Sequence, residues 1–196
     1  MEIRLNTQGV QSWNGDVLVF GVHEDQLKSQ LESIKSKIDI KSLENKLEHQ
    51  DFKGKPGQKV CLELLNQEIE KIIIIGLGNS EDFLLKDLQE AAAIAGRQSI
   101  GTSGTLGVNL PWELFEPGLA ARVVGEAIRL SLFKDLRFKS KPESYLVPNK
   151  VELLGISPNA EASLNSIEPI CAGVELAREL VGAPPNHLNP AKLAEI

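Results

Sequence analysis

Three histidines, two cysteines and two glycine loops are the residues of this chain whose types could support chemistry. His23, His49 and His187 are scattered. None belongs to a His-Glu-x-x-His helix and no Cys-x-x-Cys pair occurs, so the spacing supplies no zinc site. A nucleophile elbow needs Gly-x-Ser-x-Gly, which neither Ser99 nor Ser103 satisfies. Cys61 and Cys171 stand in apolar runs, where a thiol fills space rather than attacks. Glu81 and Asp82 are adjacent rather than facing, and suit the acidic first turn of a helix. Glu175 and Glu179, four apart beside Arg178, read as an exposed helix face. No nucleophile, base and oxyanion donor come together in this pattern.

The glycine loops are candidate binding loops. Gly76 and Gly78 flank Leu77 just after an apolar run and just before a helix, the setting of a dinucleotide loop. Glu81 occupies the place of the third glycine in Gly-x-Gly-x-x-Gly, and a carboxylate there repels pyrophosphate. A tight strand exit is the simpler reading. Gly101 and Gly104 bracket Thr102 and Ser103 in a second loop, expected near the same sheet edge. The Walker phosphate-loop pattern is absent.

Loops of this kind need a scaffold, and strands alternate with helices along the chain. Strands are expected at residues 3–5, 16–22, 59–65, 71–75, 105–110 and 151–156. The run 16–22 and the four isoleucines of 72–75 are nearly all apolar, as in strands covered on both faces. A turn is expected at Asn66-Gln67-Glu68. Helical spacing places Leu27, Leu31, Ile34 and Ile38 on one face, with a short helix over 43–47. Leu85, Leu88, Ala92 and Ala95 mark the next helix. Leu119, Val123, Ala127 and Leu130 mark another. Ile170, Val174, Ala177 and Val181 line the last full helix. Pro169 lies near its start, so earlier helical residues are kinked or separate. Residues 138–149, with two prolines, read as a loop. The alternation implies an α/β fold, a three-layer sandwich with a mostly parallel central sheet and helices on both faces.

Composition narrows the function. The 196 residues are 42% hydrophobic and 24% charged, a globular balance. The formal charge of -6 opposes nonspecific nucleic-acid binding. The one basic run, Lys134, Arg137, Lys139 and Lys141, reads as a solvated helix end and loop. Two isolated thiols fit a reducing compartment. Neither an apolar signal core nor a run of membrane-spanning length occurs, which points to the cytoplasm.

The C-terminal stretch is the most telling. Gly182, Pro184, Pro185 and Asn186 are expected to end a helix and force an extended linker. Asn189-Pro190 then caps a helix too short to stand alone in water. The expectation is a domain over 1–182, followed by a linker and the start of a helix over 183–196, cut from a larger protein.

The string from Leu176 through Val181-Gly182-Ala183-Pro184-Pro185-Asn186-His187-Leu188-Asn189-Pro190 resembles the leucyl aminopeptidase (cytosol aminopeptidase) family at the junction of its N-terminal and catalytic domains. Phe52-Lys53-Gly54-Lys55-Pro56-Gly57-Gln58 and the strand with its exit over 72–79 are similar to that family too. The resemblance implies a macro-domain-like N-terminal domain. It further implies a hexameric exopeptidase that uses two divalent metals, zinc or manganese, to release N-terminal amino acids from peptides. Two metals can polarise a carbonyl and activate a bridging water. The family's ligands and catalytic Lys and Arg fall beyond Ile196, so no catalytic or metal residue is expected here and no cofactor in this chain. Pro184, Pro185 and Asn186 become the interdomain linker.

Two other roles stay open. A macro-like module could bind ADP-ribose or another nucleotide through Gly76, Gly78, Gly101 and Gly104. An accessory DNA-binding role would rest on the four basic residues named above.

Overall fold

The architecture follows from two strands that are apolar on both sides. In a computed structural model of the protein, which describes residues 1–35, 37, 40–64, 69–141 and 144–195, β2 (Val17–Val22) and β4 (Lys71–Gly76) run side by side and parallel. Successive strand residues point to opposite faces. Val17, Val19, Ile73 and Ile75 therefore enter one core, and Leu18, Phe20, Val22, Ile72 and Ile74 enter the other.

Four further strands extend this pair: β1 (Glu2–Asn6), β3 (Lys59–Glu63), β5 (Thr105–Asn109) and β6 (Lys150–Leu154). The sheet order is β1-β6-β5-β2-β4-β3. All pairs are parallel except β3 with β4. α1 (Leu27–Glu32) and α2 (Ile40–His49) cover one face through Leu31, Leu43 and Leu47. α3 (Leu85–Gln98) and α4 (Pro117–Leu132) cover the other. The result is the expected α/β sandwich of three layers with a mostly parallel sheet. α5 (Glu161–Leu164) and α6 (Ile167–Gly182) lie outside α4, and α7 (Pro190–Ala194) is the last described helix.

Several local expectations shift. α1 stops at Glu32 rather than running on. The Ser33 hydroxyl and amide both bond the Gln30 carbonyl, at 2.6 and 3.1 Å, which closes the last turn. Ile34 is still buried, while Ile38 lies outside the described residues. β3 ends at Glu63; Leu65 and the expected turn at Asn66-Gln67-Glu68 also lie outside them. In α4 the buried positions are Gly118, Ala120, Ala121, Val124, Gly125, Ala127, Ile128 and Leu132. Leu119, Val123 and Leu130 are only half-buried. The small residues face α3, so that the two helices approach closely; a side chain at Gly96 would lie 3.0 Å from the Ile128 carbonyl.

The largest reversal is in α6. Its fully buried residues are Ile167 and Cys171, whereas Ile170, Ala177 and Val181 are exposed and Val174 is half-buried. Glu175, expected outside, points inward to α4. Pro169 is tolerated because it falls in the first turn.

Candidate functional site

The two sequence motifs rich in glycine meet at the C-terminal edge of β4. Gly76 N donates to the Gln58 carbonyl at 2.8 Å, and Gly78 N donates to the Gly54 carbonyl at 2.8 Å. The Gln58 side chain ties up the 52–58 turn: its Oε1 accepts from Lys53 N and Lys55 N at 2.8 and 3.1 Å, and its Nε2 donates to the Asp51 carbonyl at 3.2 Å. Gly54 and Gly78 both have positive φ, at 79° and 81°, where any other residue is strained. Pro56 packs over Gly78, so that an added Cβ would stand 2.8 Å from its ring. The cavity left beside Gly76 is about 20 Å³, room for one water at most. The loop is thus occupied by the chain's own turn.

Gly101 and Gly104 are at the other end. They precede β5, while Gly76 ends β4 and Gly78 follows it, and both strands run parallel to β2. Gly104 abuts the side chain of Asp16, which precedes β2 and whose Oδ2 accepts from Thr105 N at 2.6 Å. The four candidate glycines do not form one site, and the expectation of a shared edge is corrected.

A crevice does open where it should in such a sheet. β2 leads to α1 on one face and neighbouring β5 leads to α4 on the other, so their exits diverge. The gap has a volume of about 360 Å³, lined by Phe20, Gln30, Ser33, Asn109 and Trp112, with Glu113 as the one charged lining residue among those described. Asn109 Nδ2 and Trp112 Nε1 both donate to the Leu154 carbonyl, at 3.1 and 2.7 Å. Among the described residues that line this crevice none is cationic, so they offer a diphosphate no partner charge. A wider groove of about 820 Å³ runs between α1 and α2, with Leu27, Leu31, Leu47 and Phe52 as its floor.

The titratable residues also have structural settings. His23 is buried, with Nδ1 3.3 Å from the Gly78 carbonyl and its ring edge-on to Phe83. Its Nε2 has no partner among the described residues. Burial pushes the Cys171 thiol up to about 11 and raises Cys61 as well, so neither is an activated nucleophile. Hydrogen bonds from the Ser80 hydroxyl and then its amide hold Asp25 below its usual value. Ser99 spends its hydroxyl on the Gly96 carbonyl. Among the described residues no group of His, Cys, Asp and Glu could hold a metal.

Two of the four residues of the basic run are engaged within the domain. Arg137 forks onto Asp135 at 3.0 and 2.7 Å, which lowers the Asp135 carboxyl to about 2. Lys134 sits over the Tyr145 ring, 4.8 Å from its centroid. Lys139 and Lys141 are exposed. Past α6, the Pro184-Pro185-Asn186 segment is a turn rather than an extended strut. His187 N and Leu188 N both donate to the Pro184 carbonyl, at 2.8 and 3.0 Å. Pro suits the second position of such a turn, and Asn tolerates the third. Gly182 stays inside α6; Ala183, forced out of helical conformation by Pro184, ends it. The His187 ring rests on Phe138 at 4.9 Å. Asn189 caps α7 as expected, accepting from Lys192 N at 2.9 Å.

Sequence reasoning missed two organising residues. Gln58 gave a local signal, an amide closing a run of turn residues. Arg129, which joins α4 to α6 through Glu168 and Glu175, gave none, since its partners are 39 and 46 residues away.

Comparison with known proteins decides among the readings. The family profile described as "Cytosol aminopeptidase family, N-terminal domain" matches residues 17–142. This chain belongs to that family. A probable cytosol aminopeptidase of Prochlorococcus marinus (strain MIT 9211) is 46% identical over 194 residues, covering 99% of this chain and 39% of the relative. One from Synechococcus sp. (strain CC9311) is 42% identical over 196 residues, covering 100% and 39%. The chain therefore spans about two fifths of the length of these relatives. A solved tomato leucine aminopeptidase mutant superposes with a TM-score of 0.81 at 26% identity, covering 100% of this chain and 41% of that one. The bottromycin maturation enzyme BotP shares the fold, with a TM-score of 0.65 at 21% identity over 92% of this chain and 35% of its own. Within the cytosol aminopeptidase family, then, this chain corresponds to the N-terminal domain. No described helix is long and apolar enough to cross a membrane.

Proposed function

We propose that this chain is the noncatalytic N-terminal domain of a metal-dependent leucyl aminopeptidase, whose complete form releases N-terminal amino acids from peptides in intracellular protein turnover. The observation that carries this reading is the N-terminal-domain match on a chain that covers 39% of relatives named as cytosol aminopeptidases. Residues 1–182 form the domain, and 183–196 form the linker and the start of the helix leading onward. The complete enzyme is a cytoplasmic homohexamer with two divalent ions, manganese or zinc, and peptides as substrates.

The donor set of this chain does not fit a metal pair, since its described residues contain no suitable cluster. The metals and the peptide bond belong to the second domain, and no step of hydrolysis runs through the residues described above. What this chain supplies is placement. α6 and the turn at Pro184, Pro185 and Asn186 set where the next domain begins and at what angle. Gly76, Gly78, Gly101 and Gly104 serve as turn and packing glycines.

The test is release of leucine from an N-terminal leucyl peptide by the full-length protein supplied with manganese or zinc. Activity that a chelator abolishes and added metal restores is the expected result. Absence of release from every N-terminal aminoacyl substrate tried, with both metals, overturns the reading.

A further inference from the structure

α6 is amphipathic in the opposite sense to an ordinary surface helix. Such a helix turns its charges to water and its apolar stripe inward. Here all four charged residues, Glu168, Glu175, Arg178 and Glu179, pair with groups of this domain, Glu175 and Glu179 from half-buried positions and Glu168 and Arg178 from the exposed flank. Glu175 grips Arg129 of α4 through two bonds of 2.9 Å, and Glu168 pairs with the same guanidinium. Arg178 donates to the Leu130 carbonyl at 2.6 Å and lies over the Phe133 ring. Glu179 pairs with Arg137 at 3.2 Å, and its carbonyl accepts from Arg137 at 2.7 Å. The outer side presents Ile170, Leu176 and Val181, which are 38%, 44% and 89% exposed, with exposed Ala172, Gly173 and Ala177 and no charge.

We infer that this outer face of α6 is a docking surface, and that its occupant is the part of the same polypeptide that follows residue 196 in the longer members of the family. The inference rests on the reading of this chain as an N-terminal domain. Two further observations select the occupant. The match covers 39% of a relative's length, so most of such a protein lies beyond this domain and needs a place to dock. α6 also leads directly into the 183–188 turn, which is held at the domain surface by the bonds to Pro184 and by His187 against Phe138. The continuing chain therefore departs from the end of α6 that carries Val181, and α7 bares another apolar side chain, Leu193, at 51%. An uncharged face offers nothing to a nucleic acid or a charged peptide and suits a permanent apolar partner.

The experiment is thiol labelling of the full-length protein carrying Val181→Cys, with the unsubstituted protein as the blank for native thiols. A cysteine at a position 89% exposed in this domain should react like a free thiol unless something covers it. The expected result is native labelling about tenfold or more slower than labelling in denaturant, at a rate independent of protein concentration. Native labelling within about threefold of the denatured rate overturns the inference, because the face is then open. Protection that disappears on dilution, together with a fall in mass to a single chain, also overturns it and assigns the face to a second copy. Leucyl peptidase activity, measured on the unsubstituted protein, judges the peptidase reading separately: an inactive protein with a protected Val181→Cys sinks that reading and leaves the docking surface standing.

Discussion

The amide of Gly78 donates to the carbonyl of Gly54 at 2.8 Å, and this bond makes two glycine turns from separate parts of the chain into one packed edge. Gly76 lies directly under the same turn. A Cβ there would stand 2.6 Å from the Gly54 carbonyl carbon and 2.9 Å from its oxygen, both backbone atoms that cannot swing aside. Gly76→Ala should therefore lower stability by about 2–4 kcal/mol, in the range of overpacking against a rigid neighbour. Gly57, also at positive φ but facing open space, provides the comparison. Gly57→Ala should cost about 1 kcal/mol from backbone strain alone. Urea midpoints of the two variants check this, and equal losses would refute the packing argument.

Arg129 is the clip between α4 and α6. Its side chain is 18% exposed and that of Glu175 22%, while that of Glu168 is 74% exposed and adds little. Both Glu175 and Glu168 raise the Arg129 pKa, so the guanidinium stays charged at every accessible pH. Arg129→Met keeps the stem and strands Glu175. The expected loss is about 1–3 kcal/mol, concentrated in α6. Amide hydrogen exchange should accelerate across α6 and leave β2 and β4 unchanged. Uniform acceleration would mean that Arg129 supports the whole domain rather than this helix.

Acid should weaken the β1–β6 edge through Glu152. Burial pushes Glu152 up, but hydrogen bonds from Lys150, Asn6 and Trp13 outweigh it and hold the carboxyl below 4.5. A folded pKa below the unfolded one stabilises the protein above the unfolded value. That stabilisation is lost as the pH falls through the folded value. The fluorescence of Trp13, whose indole donates to Glu152 at 2.9 Å, should change below about pH 4.5 in the native protein. In Glu152→Gln that step should be missing. A step of the same size in the variant would place the titration elsewhere.

Replacing Pro184 and Pro185 by glycine in the full-length protein removes the two fixed φ angles of the linker turn. On the proposed reading, peptidase activity and the share of hexamer should both fall, with the domain's urea midpoint unchanged because Pro185 is exposed and Pro184 only half-buried. Unchanged activity and hexamer content would reduce the prolines to simple helix breakers.

The strands were legible because burial on both faces leaves a compositional mark: Ile72 to Ile75 can belong only where both sides are covered. The helix face of α6 was not legible, and the reason is physical. Hydrophobic periodicity locates an apolar stripe but does not say which body covers it. Ile170, Ala177 and Val181 form a real stripe, yet they face away from this domain. The charges Glu175, Arg178 and Glu179 look like a wet face until Arg129, Leu130 and Arg137 are brought opposite them by the fold. The misplacement of Gly101 and Gly104 has a simpler cause. A loop that enters a parallel strand sits at the opposite end of the sheet from one that leaves its neighbour, so order along the chain separates them from Gly76 and Gly78. The crevice at Asn109 and Trp112 was invisible because it arises from strand order, which no local window contains.

The reversed polarity of α6 also bears on how such a protein is made. In a relative of this length, about 300 residues remain to be translated once α6 has left the ribosome, on the order of tens of seconds of synthesis. Through that interval the sheet and its two cores can already be complete while an oily ridge tipped by Val181 stays wet. On the docking inference, early folding of this N-terminal part leaves a transient sticky surface, and the cell's exposure to it is set by the speed of elongation rather than by the stability of the domain.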